Sequence, residues 1–256
     1  MSLLRAAAFG LALGFSMVPS GARAQDSNAA SEFWAARDVE IAAAPDLAPV
    51  RIGVWDSGVD LSLFVGRVAL DADSQALVRG YDSFKQRQDL PMAVLPPGFG
   101  ERQDELNLAL TAFDDLDSGV ESSAAALMTE RLEGLTDAEA TAFSDDISRW
   151  SGYTHGTAVA DIALAGHARA EIIVARMEWW RGSPPVPCWT RELADREAAS
   201  IRDLLTFLVD SGARVVNMSW GRFETSYLGN LEECAPDMPI EARRDLARLH
   251  GRKQPQ

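Results

Sequence analysis

Lysine is almost missing from this 256-residue chain: of its 24 basic residues only Lys85 and Lys253 are lysines, set against 38 acidic residues. Arginine in place of lysine says little about chemistry, but the balance does. A formal net charge of −14 argues against a nucleic-acid partner, which would call for a basic patch. Cysteine and histidine are scarce as well. Cys188, Cys234, His155, His167 and His250 show no paired spacing, which argues against a structural zinc site. Long apolar runs are missing beyond the first twenty residues. Spanning a bilayer takes about 20 consecutive apolar residues, so no span is expected in the mature chain.

The N-terminus is where the apolar residues gather. Arg5 precedes an apolar run from Ala6 to Val18, and Ala22-Arg23-Ala24 follows. A charged start, a short apolar centre and small residues at an Ala-x-Ala site describe a secretory signal peptide cleaved near Ala24–Gln25. A membrane anchor is the alternative, but the run is short and is closed by Pro19 and Gly21. Export leads to the medium or the periplasm, and loss of Arg5 and Arg23 takes the net charge from −14 to −16. Residues 25–47 form a polar leader, and 48–256 suffice for one domain with one core. Oxidising surroundings leave two readings open for Cys188 and Cys234, a bond between loops or two free thiols.

Residues 50–55, Val-Arg-Ile-Gly-Val-Trp, read as a buried strand ending in an Asp-Ser-Gly turn. A second strand is expected at 171–177 and a third at 214–219. Between them, Leu193, Ile201, Leu204, Leu205, Leu208 and Val209 share one face of a helix over 192–209, with Gly212 at its C-cap. Alternating strands and helices predict an α/β fold with a doubly wound parallel sheet. A helix is expected to start near Thr154-His155 and run to Gly166, and another over 239–249 before a frayed polar tail. Residues 89–149 hold fourteen acidic residues against three arginines, a net −11, and read as an acidic surface insertion, helical over 121–143. Within it, Asp114 to Gly119 lacks the acid and glycine positions of a calcium loop and reads as a solvated turn. Trp179, Trp180 and Trp189 lie around Pro184, Pro185 and Pro187, where loop packing is expected ahead of an aromatic subsite.

Three Asp-Ser-Gly triplets occur, at 56–58, 117–119 and 210–212. Only Asp56 directly follows an apolar strand, and in open α/β sheets functional groups gather at the carboxyl ends of strands. His155 precedes Gly-Thr-Ala-Val-Ala, small residues that let a helix approach a sheet. At a helix N-terminus the dipole would favour neutral imidazole, the form a general base needs. A carboxylate on its far nitrogen would fix the tautomer.

Taken together, Val54-Trp55-Asp56-Ser57-Gly58-Val59-Asp60 resembles the catalytic-Asp segment of the subtilisin-like serine proteases. Thr154-His155-Gly156-Thr157-Ala158-Val159-Ala160 resembles their catalytic-His helix. Val215-Val216-Asn217-Met218-Ser219-Trp220-Gly221 is similar to the strand whose Ser-x-Gly backbone lines their substrate cleft. The resemblance implies a polypeptide substrate and peptide-bond hydrolysis through an acyl-enzyme. Asp56 would orient, His155 act as base, and Ser219, Trp220 and Gly221 hold the substrate. No cofactor is required; relatives often bind calcium, for which no ligands are assignable here. The family continues with a strand bearing an oxyanion asparagine and a Gly-Thr-Ser nucleophile segment, and nothing after Gly221 fits either. The expectation is therefore an incomplete subtilisin-like domain, inactive and poorly folded by itself because a central strand edge is left unpaired. The alternatives are a non-catalytic pseudoprotease that binds peptides and a plain α/β binding domain.

Overall fold

A computed structural model describes residues 48–178, 188–221 and 224–253. The expected signal peptide and polar leader, and the loop holding Trp179, Trp180 and the three prolines, lie outside the described residues. Four parallel strands form one sheet: β1 (Val50–Asp56), β2 (Val78–Tyr81), β3 (Ala170–Met177) and β4 (Val215–Met218), in the order β2-β3-β1-β4. β1 runs between β3 and β4, with Asp56 opposite Arg176 on one side and Trp55 opposite Met218 on the other. Among the described residues six α-helices accompany the sheet: α1 (Gln103–Asp117), α2 (Ser123–Glu133), α3 (Asp137–Leu164), α4 (Arg191–Asp210), α5 (Glu224–Cys234) and α6 (Ile240–Lys253).

Side chains alternate across a strand, so each strand feeds two cores. Val54, Ile172 and Val174 pack under Ala160 and Leu164 of α3. Trp55, Ile173, Ala175 and Met177 face Ile201, Leu204, Phe207 and Leu208 of α4 on the opposite side. The near-continuous apolar runs of β1 and β3 follow from burial on both faces. The coarse expectation, an α/β chain with a parallel sheet between helices, is what the described residues form. Gly53 is where α4 comes closest, since a Cβ there would lie 2.8 Å from a Leu208 methyl. Thr190 caps α4 by accepting from the Leu193 amide. At the other end Gly212 takes φ +81°, and the Gly212 and Ala213 amides donate to the Val209 and Leu208 carbonyls, the left-handed stop expected from the sequence.

Several sequence expectations are corrected. The helix bearing His155 does not begin near Thr154. It starts at Asp137 behind a Thr136–Glu139 capping box and runs unbroken for 28 residues. Gly152 and Thr154 look like start signals but sit mid-helix, because the insertion packs its own core onto the upstream turns. That core joins Leu106, Ala109 and Ala112 of α1, Met128 of α2, and Phe143, Ile147 and Trp150 of α3. Arg102 donates to Glu105 at 2.8 Å and to Asp146 at 2.5 Å, Arg131 also meets Glu105, and Trp150 Nε1 donates to Asn107 at 2.8 Å. Asp114 to Asp117 close α1 as helix rather than as a free turn. The tail is likewise helical to Lys253.

Cys188 and Cys234 are bonded. Cys234 ends α5, so the bond joins a helix end to the segment before α4. Around it Trp189, Leu193, Tyr227, Leu231 and Ala247 form a small core, with Trp189 and Tyr227 edge to face at 5.2 Å. Trp189 is therefore a packing residue. β4 stands at the sheet's edge and is only partly covered: Val215 is 58 % and Met218 50 % exposed.

Candidate active site

Asp56 is the last residue of β1 and shares the α3 face of the sheet with Val54. Its carboxylate is buried, and Oδ1 accepts from the Ser57 amide at 2.7 Å and the Ser57 hydroxyl at 3.0 Å. His155 faces it across the crevice, with Nδ1 2.9 Å from Oδ1 and 3.1 Å from Oδ2. Residues 99 apart in the chain are thus brought into direct contact, as the sequence reading required. With the carboxylate ionised, the proton between them belongs on Nδ1, which leaves the Nε2 lone pair as acceptor. The side chains differ in exposure, 33 % for His155 and 4 % for Asp56. The carboxylate is shielded while the imidazole reaches solvent, as a base that must meet a substrate would.

The approach is tight because glycine stands on both sides. A Cβ on Gly156 would lie 2.2 Å from the Gly58 carbonyl oxygen and 3.0 Å from Asp56 Cβ. Gly58 itself takes φ +144°, and a Cβ there would sit 2.8 Å from the Pro91 carbonyl oxygen. The turn is pinned further where Thr157 Oγ1 accepts from the Asp60 amide at 3.0 Å and where Val59 N–H donates to Pro91 at 2.8 Å.

The helix-dipole argument for His155 does not survive. His155 lies 18 residues from the start of α3, about 27 Å at 1.5 Å per residue. The dipole acts within the first turn, so it does not reach the imidazole.

Ser219, Trp220 and Gly221 leave β4 at the same carboxyl edge as Asp56. Ser219 is exposed and its hydroxyl donates to Asn217 Oδ1 at 2.6 Å, while Trp220 packs its ring 5.0 Å from that of Trp55. Gly221 is exposed, and a Cβ there would meet nothing within 4 Å. Asp56, His155 and the 219–221 segment therefore gather at one end of the sheet. Sequence reading had passed over Ser57 as a donor to Asp56, and over Arg176, a buried cation in register with Asp56. The signal for Arg176 was a charge at a buried position directly after the apolar run from Ile172 to Ala175.

Among the described residues no group of three or more His, Cys, Asp or Glu side chains converges to hold a metal, and no helix is long and apolar enough to cross a membrane. Searches of known protein families, of curated proteins and of solved structures find no match to this chain.

Proposed function

We propose that this chain is the Asp- and His-bearing part of a secreted subtilisin-like serine endopeptidase. The observation that carries the reading is the Asp56–His155 hydrogen bond at the carboxyl end of a central parallel strand, with Nδ1 at 2.9 Å from the carboxylate. Asp56 holds the imidazole in one tautomer and stabilises the imidazolium formed in reaction. His155 takes the proton of a serine hydroxyl through Nε2. The Ser219 to Gly221 backbone offers hydrogen bonds to an extended polypeptide substrate beside the dyad. The nucleophile belongs on a Gly-Thr-Ser segment, and residues 222–256 contain none.

Nucleophile and base act as a unit, and in subtilisin itself loss of the serine lowers turnover by about 10⁶. The purified 256-residue chain is accordingly expected to leave casein intact. Reading the source DNA beyond the Gln256 codon should reveal, in some frame, an asparagine-bearing strand followed by Gly-Thr-Ser at the head of an alanine-rich helix. Casein hydrolysis by the chain, abolished by His155→Ala, would overturn the assignment of an external serine.

A second reading has one observation in its favour. α5 and α6 close a core on α4, and the Cys188–Cys234 bond ties the end of α5 to the segment before α4. A core closed in this way suits a non-catalytic form that binds peptides at Ser219 to Gly221. Downstream DNA without the nucleophile segment, together with saturable peptide binding weakened by Gly221→Pro, would favour it.

A further inference from the structure

Arg176 is fully buried near the end of β3, in register with Asp56 on the neighbouring strand. Its guanidinium is surrounded by acceptors. Nε donates to the Leu90 carbonyl at 2.9 Å, and Nη1 to Glu178 Oε2 at 3.1 Å. Nη2 donates to the Gln88 carbonyl at 3.3 Å and to Gln88 Oε1 at 2.8 Å. Burying an ion is costly, and a well-packed apolar side chain in such a place is often no worse for stability. What an apolar side chain lacks is a rigid fork of donors that fixes several acceptors at once.

Those acceptors belong mainly to one short segment, residues 88–91. It is held from three sides. Gln88 N–H donates to the Gly80 carbonyl at 2.7 Å, Gly80 N–H donates to Asp89 Oδ1 at 3.2 Å, and the Pro91 carbonyl accepts from Val59 N–H at 2.8 Å. Burial alone would raise the Asp89 carboxyl, but hydrogen bonds from Arg87 and from the Gly80 amide outweigh it and keep the carboxyl below its ordinary value. The contacts then pass without slack to the dyad. A Cβ on Gly80 would lie 2.5 Å from the Gln88 carbonyl oxygen, one on Gly58 2.8 Å from that of Pro91, and one on Gly156 2.2 Å from that of Gly58. Gly156 is the residue after His155.

We propose that Arg176 is a positioning residue: by clamping residues 88–91 over the Gly58 turn, it fixes the Asp56 carboxylate against His155 Nδ1. This rests on the Asp56–His155 dyad of the functional reading, but not on the identity of any nucleophile.

The test is nitrogen NMR of the histidine rings in the full chain, at a pH where the imidazoles are neutral, with His167→Gln and His250→Gln assigning His155. Native protein should hold His155 as the Nδ1–H tautomer, and Asp56→Asn should abolish that preference. Arg176→Met should lose Nδ1–H as the dominant form. Arg176→Lys, which keeps the charge but not the fork, should lose it in part. Gln88→Ala, which removes one acceptor of Arg176 at an exposed position, should shift the balance in the same direction and decides the matter if Arg176→Met does not fold. A lower melting midpoint in the Arg176 and Gln88 variants, with Nδ1–H still dominant in all of them, would reduce Arg176 to a packing residue and overturn the proposal while leaving the dyad standing. An Asp56→Asn chain with an unchanged His155 tautomer would overturn the dyad and this proposal together.

Discussion

Two donors from Ser57 and one from His155 converge on the Asp56 carboxylate. Hydrogen bonds to a charged group each contribute roughly 1.5–3 kcal/mol, enough to hold the carboxylate in one orientation. The geometry depends on the absence of side chains at Gly58 and Gly156. Gly156→Ala drives a methyl into the Gly58 carbonyl and is expected to destabilise the protein by about 1–3 kcal/mol, as overpacking does. Gly152→Ala, one turn earlier on the same helix, meets nothing within 4 Å. It should be neutral or stabilising by up to about 1 kcal/mol through helix propensity. Denaturant midpoints of the two variants, compared side by side, check the close approach of α3 to the Asp56 turn. Equal midpoints would mean that α3 does not press on that turn.

Among the elements, the disulfide defines what is separable. The bond closes 46 residues that contain α4, β4 and most of α5. For a loop of that length the chain-entropy estimate is about 4 kcal/mol. Cys188→Ser should therefore lower the melting midpoint and raise hydrogen exchange in α5 and α6 first, while β1 and β3, buried on both faces, stay protected. Unchanged exchange in α5 and α6 would show that their core needs no staple. The elements legible in the sequence were those whose pattern answered to one cause. β1, β3 and α4 fall within a residue of expectation because burial on two faces, or on one helical stripe, writes itself into the residues. β2 escaped notice: Val-Arg-Gly-Tyr has four residues, one of them a glycine accepting the close approach of residue 88. α5 escaped as well. The true start of α3 does carry a local signal, the Thr136–Glu139 capping box, but the insertion core that carries the helix through Gly152 and Thr154 is set by tertiary packing. Of the site, Asp56 and His155 were legible through strand end and small-residue context. Arg176 was not, since its meaning lies in carbonyls supplied by a distant loop.

For the molecule as a whole, the open flank of β4 competes with its charge. Exposed Val215 and Met218 lie on an edge strand of the kind that pairs with other chains, while the net −14 keeps copies apart. Raising ionic strength shortens the screening length from about 30 Å at 0.01 M to 8 Å at 0.15 M. Self-association measured by sedimentation is therefore expected to increase with salt and to fall in Val215→Lys, which puts a charge on the edge. Association that weakens with salt, or is indifferent to Val215→Lys, would locate the contact elsewhere.

One further consequence concerns angular phase. Because α3 carries Ile147 and Trp150 of the insertion core and His155 on a single unbroken helix, every residue gained or lost between them turns one end against the other by about 100°. A single deletion there would either swing the imidazole off Asp56 or strip Ile147 and Trp150 from their neighbours. A step of seven restores the phase to within about 20°. Length variation in this stretch of α3 is thereby restricted to helical repeats, however freely the acidic surface around it changes.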